Sequence, residues 1–239
     1  ISFVLTTTDG NSLKLLDTAA RDTASSHLSF GSGLAVDMAN NNVTPRSATE
    51  ALQTNNYTAD TTAPAVLSSS LDMDTGLLSL VFVEPVRIST LSVASVELSP
   101  DLSGAAYALA VDSTAVTTSN GLQVDIQIGE IDLNNIKART DLAVSDSTAR
   151  VSVANAVTDM ATSNADGVRL AIGTYNDDVT GPVLVSSQLD MDGETITFSF
   201  TETVNASSFD PTMITISSVT QAFTLTGAAV DVSAFSTVV

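Results

Sequence analysis

Two stretches of the chain pair carboxylates around a short turn: Asp72-Met73-Asp74-Thr75-Gly76 and Asp190-Met191-Asp192-Gly193-Glu194. In an extended strand, successive side chains point to opposite faces, so Asp72 and Asp74 share one face while Leu71 and Met73 share the other. Two outward carboxylates beside a glycine turn offer oxygens to calcium, which takes six to eight of them. Asp60 precedes Pro64 and the pair Asp177-Asp178 precedes Pro182, so calcium there would stiffen two hinges. The candidate calcium set is therefore Asp60, Asp72, Asp74, Asp177, Asp178, Asp190 and Asp192. An EF-hand is excluded: Glu84 and Glu202 fall one place too late in each loop and lie in expected strands. The competing reading is that these aspartates cap turns. Three sequons, at Asn42, Asn56 and Asn205, are candidate glycosylation sites.

Other chemistry is poorly provided for. The 239 residues contain no Cys and one His, which removes disulfides, thiolate metal sites and multi-histidine zinc sites. His27 lies at an expected strand start, and the motifs of nucleotide-binding loops, serine hydrolases and zinc proteases are missing. We expect no enzyme. With 27 acidic against 8 basic residues the net charge is −19, which repels phosphate backbones and argues against nucleic acid. No apolar run is long enough to span a membrane. Ile1 opens on an alternating apolar segment with no basic leader, so any targeting segment is expected to lie outside these residues.

The elements that position these residues recur. Thr62-Ala63-Pro64 through Leu71-Asp72-Met73-Asp74 matches Thr180-Gly181-Pro182 through Leu189-Asp190-Met191-Asp192, 118 positions on. Phe82-Val83-Glu84-Pro85-Val86 matches Phe200-Thr201-Glu202-Thr203-Val204 at the same offset, and Tyr57 matches Tyr175. At an offset of 123, Asn11-Ser12-Leu13-Lys14 matches Asn134-Asn135-Ile136-Lys137; at 122, Asp37-Met38-Ala39 matches Asp159-Met160-Ala161. Self-similarity at a fixed period marks a repeat architecture. The expected division is 1–59 as the back half of one repeat, 60–177 as a complete repeat, and 178–239 as the front half of another. Ile1 aligns with Val124 and Val239 with Gln123, so the chain reads as two repeat lengths cut inside a strand.

Within one repeat, alternating runs predict strands near 66–73, 77–83, 93–98, 107–111, 122–128, 151–157 and 168–172. Turn residues separate them, as in Asn120-Gly121. Asp132 to Leu142 has apolar residues at helical spacing, with Asp132 as the expected N-cap; a counterpart is expected near Asn11 to Asp22. The expectation is an all-β protein of tandem β-sandwich repeats with one short helix each.

The Thr61-Thr62-Ala63-Pro64 opening and the Phe82-x-Glu84-Pro85-Val86 strand resemble the SbsA-type bacterial Ig-like domain. The Asp132-Leu133-Asn134-x-Ile136-Lys137 stretch is similar to long arrays in giant surface proteins of algae and other protists. Thr203 departs from the family's proline, and the Cys and Trp of true Ig domains are missing. The resemblance implies an extracellular or cell-surface structural module of a filament, appendage or coat, partnered by copies of itself or by flanking repeats. A calcium-stiffened adhesin stalk, presenting a binding domain elsewhere, is the alternative. No cofactor is implied beyond calcium.

Overall fold

The computed structural model describes residues 1–230 and 235–238, the latter through their backbone; Val239, the end of the sequence alignment above, lies outside the described residues. Strands in several sheets make up most of its regular structure, with two short α-helices. Residues 1–59 hold helix α1 (Thr7–Lys14) and a small antiparallel ladder of β1 (His27–Leu28) with β2 (Leu52–Gln53). The central stretch holds β3 (Val66–Asp72), β4 (Leu77–Arg87), β5 (Glu97–Ser99), β6 (Tyr107–Ala108), β7 (Thr114–Ala115), β8 (Gly121–Gln127), α2 (Glu130–Lys137), β9 (Arg150–Ser152), β10 (Thr158–Asp159), β11 (Leu170–Ala171) and β12 (Thr174–Asn176). Beyond these come β13 (Leu184–Asp190), β14 (Thr195–Asn205), β15 (Thr215–Ser217), β16 (Ala222–Thr224) and β17 (Phe235–Val238).

Two sheets form the central body. One runs β12-β3-β4-β8-β7, with β10 also on β4; the other runs β11-β9-β5-β6. All pairings are antiparallel except β12 on β3. The alternation of β4 explains the core: Leu78, Leu80 and Phe82 point inward, where they meet Leu71 of β3, Val124 and Ile126 of β8, Leu98 of β5 and Val151 of β9. Burying each such side chain is worth about 1.5–3 kcal/mol. Glu84 falls on the same inward register, at the end of the core, and is buried. Pro85 has no N–H to donate, and it sits where the β4–β8 ladder slips between Val81 and Val86.

Several expected bounds move. The stretch 93–98 is a strand only at Glu97–Ser99, after a 3₁₀ turn at Val93–Ser95 whose Ser92 and Ser95 hydroxyls bond each other. The stretch 151–157 breaks after Ser152, with Asn155 at φ 55°, a left-handed turn asparagine tolerates. Helix α2 links a strand of one sheet to a strand of the other, as expected, but it spans Glu130–Lys137 and its N-cap is Gly129. Its counterpart α1 starts at Thr7, with the Thr6 hydroxyl accepting from the Asp9 N–H, ahead of the expected Asn11.

The reason for the α2 difference is long-range. Asp132 is fully buried in the first turn, not at the cap. The cap is Asp112, twenty positions upstream, whose carboxylate accepts the N–H groups of Ile131 (2.8 Å) and Asp132 (3.0 Å). In return Asp132 accepts from the Val111, Asp112 and Ser113 N–H groups, the Ser113 hydroxyl (2.7 Å) and the Tyr107 hydroxyl (2.7 Å). Each carboxylate thus satisfies the backbone that carries the other. Gly129 makes room for this exchange, since a Cβ there would stand 2.2 Å from Asp112 Cγ. Gly129→Ala is therefore expected to expel the Asp112 cap and cost about 2–3 kcal/mol, read by urea unfolding. An unchanged midpoint would show that the cap is dispensable.

Among the described residues, no helix is long and apolar enough to cross a membrane.

Candidate functional site

The chain contains two lysines, Lys14 and Lys137, and each ends a helix. Both reach out of their helix into the same arrangement. Lys14 Nζ stands 2.7 Å from Asp60 Oδ2 and 2.5 Å from Glu84 Oε2. Lys137 Nζ stands 2.9 Å from Asp178 Oδ2 and 2.7 Å from Glu202 Oε2. The lysines are 123 positions apart, and the aspartates and glutamates are each 118 apart. In both cases the lysine comes from one helix, the aspartate from the extended segment before a proline, and the glutamate from the long strand that follows. Helix α1 packs on β4 and α2 on β14.

Neighbouring hydrogen bonds tie the same elements. Asn11 Nδ2 donates to the Val83 carbonyl (3.2 Å). Its counterpart Asn134 presents its oxygen instead, accepting from the Thr203 N–H (2.8 Å), while the Thr203 hydroxyl donates to the Asn134 carbonyl (3.0 Å). The difference follows from Pro85: where proline stands, there is no N–H to offer, so the asparagine turns to a carbonyl instead. Tyr57 and Tyr175 recur as well, donating to the carbonyls of Ala20 and Ala143, both alanines at positive φ. Asp37 and Asp159 each accept two N–H groups of the turn that follows them.

The electrostatics of the first clasp are sharply divided. Partial burial opposes the Lys14 charge, yet its bonds to Asp60 and Glu84 outweigh that and hold its pKa above the usual lysine value. Lys137 is raised in the same way, burial being outweighed by Glu202 and Asp178. Burial pushes the Glu84 carboxyl up, and Lys14 only partly offsets this, while the charges of Asp60 and Asp159 add to the rise. Asp60 ends lowered, its desolvation outweighed by Lys14 and the Thr62 N–H. Asp60, Glu84 and Asp159 bring carboxylate oxygens within 4.8 Å of one another, the spacing of a candidate cation site. Asp159 is buried there with Oδ2 unpartnered. A cleft of about 70 Å³ lined by Lys14, Asp60, Arg21, Tyr57 and Met160 opens beside it.

The candidate calcium residues divide between roles. Asp72 accepts the Asp74 and Thr75 N–H groups, and Asp190 accepts those of Asp192 and Gly193. Asp74 accepts from Val179 and Thr180, anchoring the segment that leads to β13. These bonds hold all three carboxyls below the usual range. Turn capping thus engages Asp72, Asp74 and Asp190, Lys14 engages Asp60, and Lys137 engages Asp178. Asp177 and Asp192 are exposed. Asn42, Asn56 and Asn205 are exposed as well, and the Asn205 side-chain oxygen Oδ1 accepts from the Ser207 N–H and hydroxyl. His27 opens β1, as its counterpart Arg150 opens β9.

The residues missed from sequence are Lys14, Lys137, Glu84, Glu202 and Asp159. Their signal was present, since both lysines and both glutamates recur in register. What the residue types did not convey was that a helix end and a later strand meet in space. No protein-family model, curated protein or solved structure matches the chain.

Proposed function

We propose that the chain is a run of tandem Ig-like β-sandwich repeats and serves as a structural segment of an extracellular filament, appendage or cell-surface coat. The observation that carries this reading is the recurrence of the Lys-Asp-Glu clasp at the same place in successive repeat lengths. A clasp that joins one repeat's helix to the next repeat's longest strand fixes the angle between neighbours, which is what a stiff linear array requires.

The apolar faces support the same reading. Leu71 and Met73 are 1% and 2% exposed, whereas their counterparts Leu189 and Met191 are 51% and 75% exposed. In the central body that face shares one core with Val124 and Ile126 of the same sheet, Ile136 of α2 and Val151 of the other sheet. The counterparts of these four are Ile1, Phe3, Leu13 and Leu28, all in 1–59 and all exposed. Residues 1–59 thus carry the chemistry to cover residues 178–239 of another copy or of a flanking repeat, and a chain continued head to tail would close both. Sedimentation velocity over a range of concentrations tests this. End-to-end oligomers are expected, and a strictly monomeric species at all concentrations would count against completion between copies. Asn42, Asn56 and Asn205 are proposed glycan positions on such a surface.

Calcium belongs to this reading at the Asp60, Glu84 and Asp159 group, where it would displace the Lys14 ammonium. If it binds there, the melting temperature rises with added calcium and falls with chelator at low salt. A melting temperature indifferent to both removes calcium from the account.

A further inference from the structure

We propose that each clasp is the site of a self-catalysed covalent cross-link, an isopeptide bond from Lys14 Nζ to Asp60 Cγ and from Lys137 Nζ to Asp178 Cγ, with Glu84 and Glu202 as the respective proton carriers. The inference holds whether or not the chain belongs to a filament, and at the first clasp it is the alternative to a calcium ion, since a bond from Lys14 to Asp60 leaves no ammonium to displace.

A lysine on a surface needs one carboxylate, and exposed pairs contribute little. Here the chain's two lysines each meet two carboxylates of different type, in the same spatial roles, and the glutamate is the more deeply placed member each time: the Glu84 side chain is 4% exposed against 22% for Asp60, and Glu202 is 13% against 32% for Asp178. One carboxylate is in contact at the solvent edge on an extended segment, and the other is fixed on a rigid strand behind. With Nζ 2.7–2.9 Å from an aspartate oxygen, the carbon one bond further lies near the reactive separation of about 3–3.5 Å, and tertiary structure has already removed the entropy of bringing the groups together.

The step balances without an external reagent. Each resting clasp is an ammonium and two carboxylates. The glutamate takes one proton from the ammonium, leaving a neutral amine. The amine lone pair attacks the aspartate Cγ, and the glutamate passes its proton to an aspartate oxygen. The glutamate then takes a second proton from the nitrogen and passes it to the same oxygen as the C–O bond breaks, so that oxygen leaves as water with two of the three ammonium protons. The product is a neutral secondary amide, and the glutamate ends as it began. No oxidation or reduction occurs. The burial that raises the Glu84 carboxyl suits it to hold the travelling proton. At the first clasp, the cleft beside Lys14 and Asp60 gives the water a way out. The bond would tie the end of each helix to the segment leading into the next sheet, so tension along the chain would bypass the short strands between them.

Intact mass under denaturing conditions tests this on the 239-residue chain. The expected mass is lower than that calculated from the sequence by two waters, and peptide mapping is expected to find Lys14 joined to Asp60 and Lys137 to Asp178. Lys137→Arg keeps the charge but removes the nucleophile, and Glu202→Gln keeps the shape but removes the proton carrier. Each is expected to lose the second bond alone while circular dichroism stays that of the folded chain. A folded wild-type chain at its full calculated mass overturns the proposal, whatever the variants do. A bond found on Glu84 or Glu202 overturns the roles assigned here.

Discussion

Asp132→Asn is expected to destabilise the central body by about 3–5 kcal/mol at pH 7, a large part of the stability of a single domain. The carboxylate accepts from five donors: the Tyr107 and Ser113 hydroxyls and the N–H groups of Val111, Asp112 and Ser113. An amide keeps the shape but loses the charge, and its NH₂ points donors at donors. The Val111-Asp112-Ser113 turn then loses its partner, and with it the Asp112 cap on α2. The pH dependence follows in sign. Burial raises the Asp132 carboxyl, but the bonds from Ser113, Tyr107 and the backbone outweigh it, so its folded pKa lies below the ordinary value. A lowered carboxyl contributes stability above its unfolded pKa and loses it as pH falls through the folded one. The gap between wild type and Asp132→Asn, measured by urea unfolding, is therefore full at neutral pH and shrinks below about pH 4. Equal midpoints at pH 7 would contradict the assignment.

The second large effect is expected from Lys137→Met. The methionine fills much of the same space but takes away the Lys137 nitrogen, whether ammonium or bonded to Asp178, and leaves Glu202 and Asp178 facing each other in a chain of net charge −19. Removing one partner of a buried pair costs about 3–5 kcal/mol; with Asp178 a third exposed, about 2–4 kcal/mol is expected here. Adding Glu202→Gln is expected to recover part of the loss, because it removes one of the stranded charges, and the double-mutant cycle reads that coupling. Additive effects would mean that Lys137 and Glu202 do not interact.

Much of the fold was legible because it is local. The alternation from Leu71 to Asp74 sends Leu71 and Met73 inward and leaves the aspartates at the turn, as the period-two pattern requires. The strand at Leu77 was also foreseen, although it runs on to Arg87 past a proline. Helix α2 shows where local reading fails. Asp132 looks like an N-cap because it is an aspartate before an apolar spacing, but the cap arrives from Asp112 in a different part of the chain, and no nearby residue signals it. The clasps fall between these cases. Recurrence marked Lys14, Lys137, Glu84 and Glu202 in the sequence, but the separations of 70 positions between Lys14 and Glu84 and 65 between Lys137 and Glu202 hid the contacts. The calcium reading came from carboxylates beside turns, and two of its seven residues, Asp60 and Asp178, also meet the ammonium groups of Lys14 and Lys137, contacts that no turn pattern signals.

The claim that a helix of one repeat is fastened to the long strand of the next is tested most directly by amide hydrogen exchange at Thr203, whose N–H donates to Asn134 across the second clasp. In Lys137→Met, the Thr203 amide and its neighbours in β14 are expected to exchange at least about tenfold faster, while Leu80 and Ile126 in the central core keep their protection. Protection at Thr203 that is indifferent to the loss of Lys137 would contradict the account.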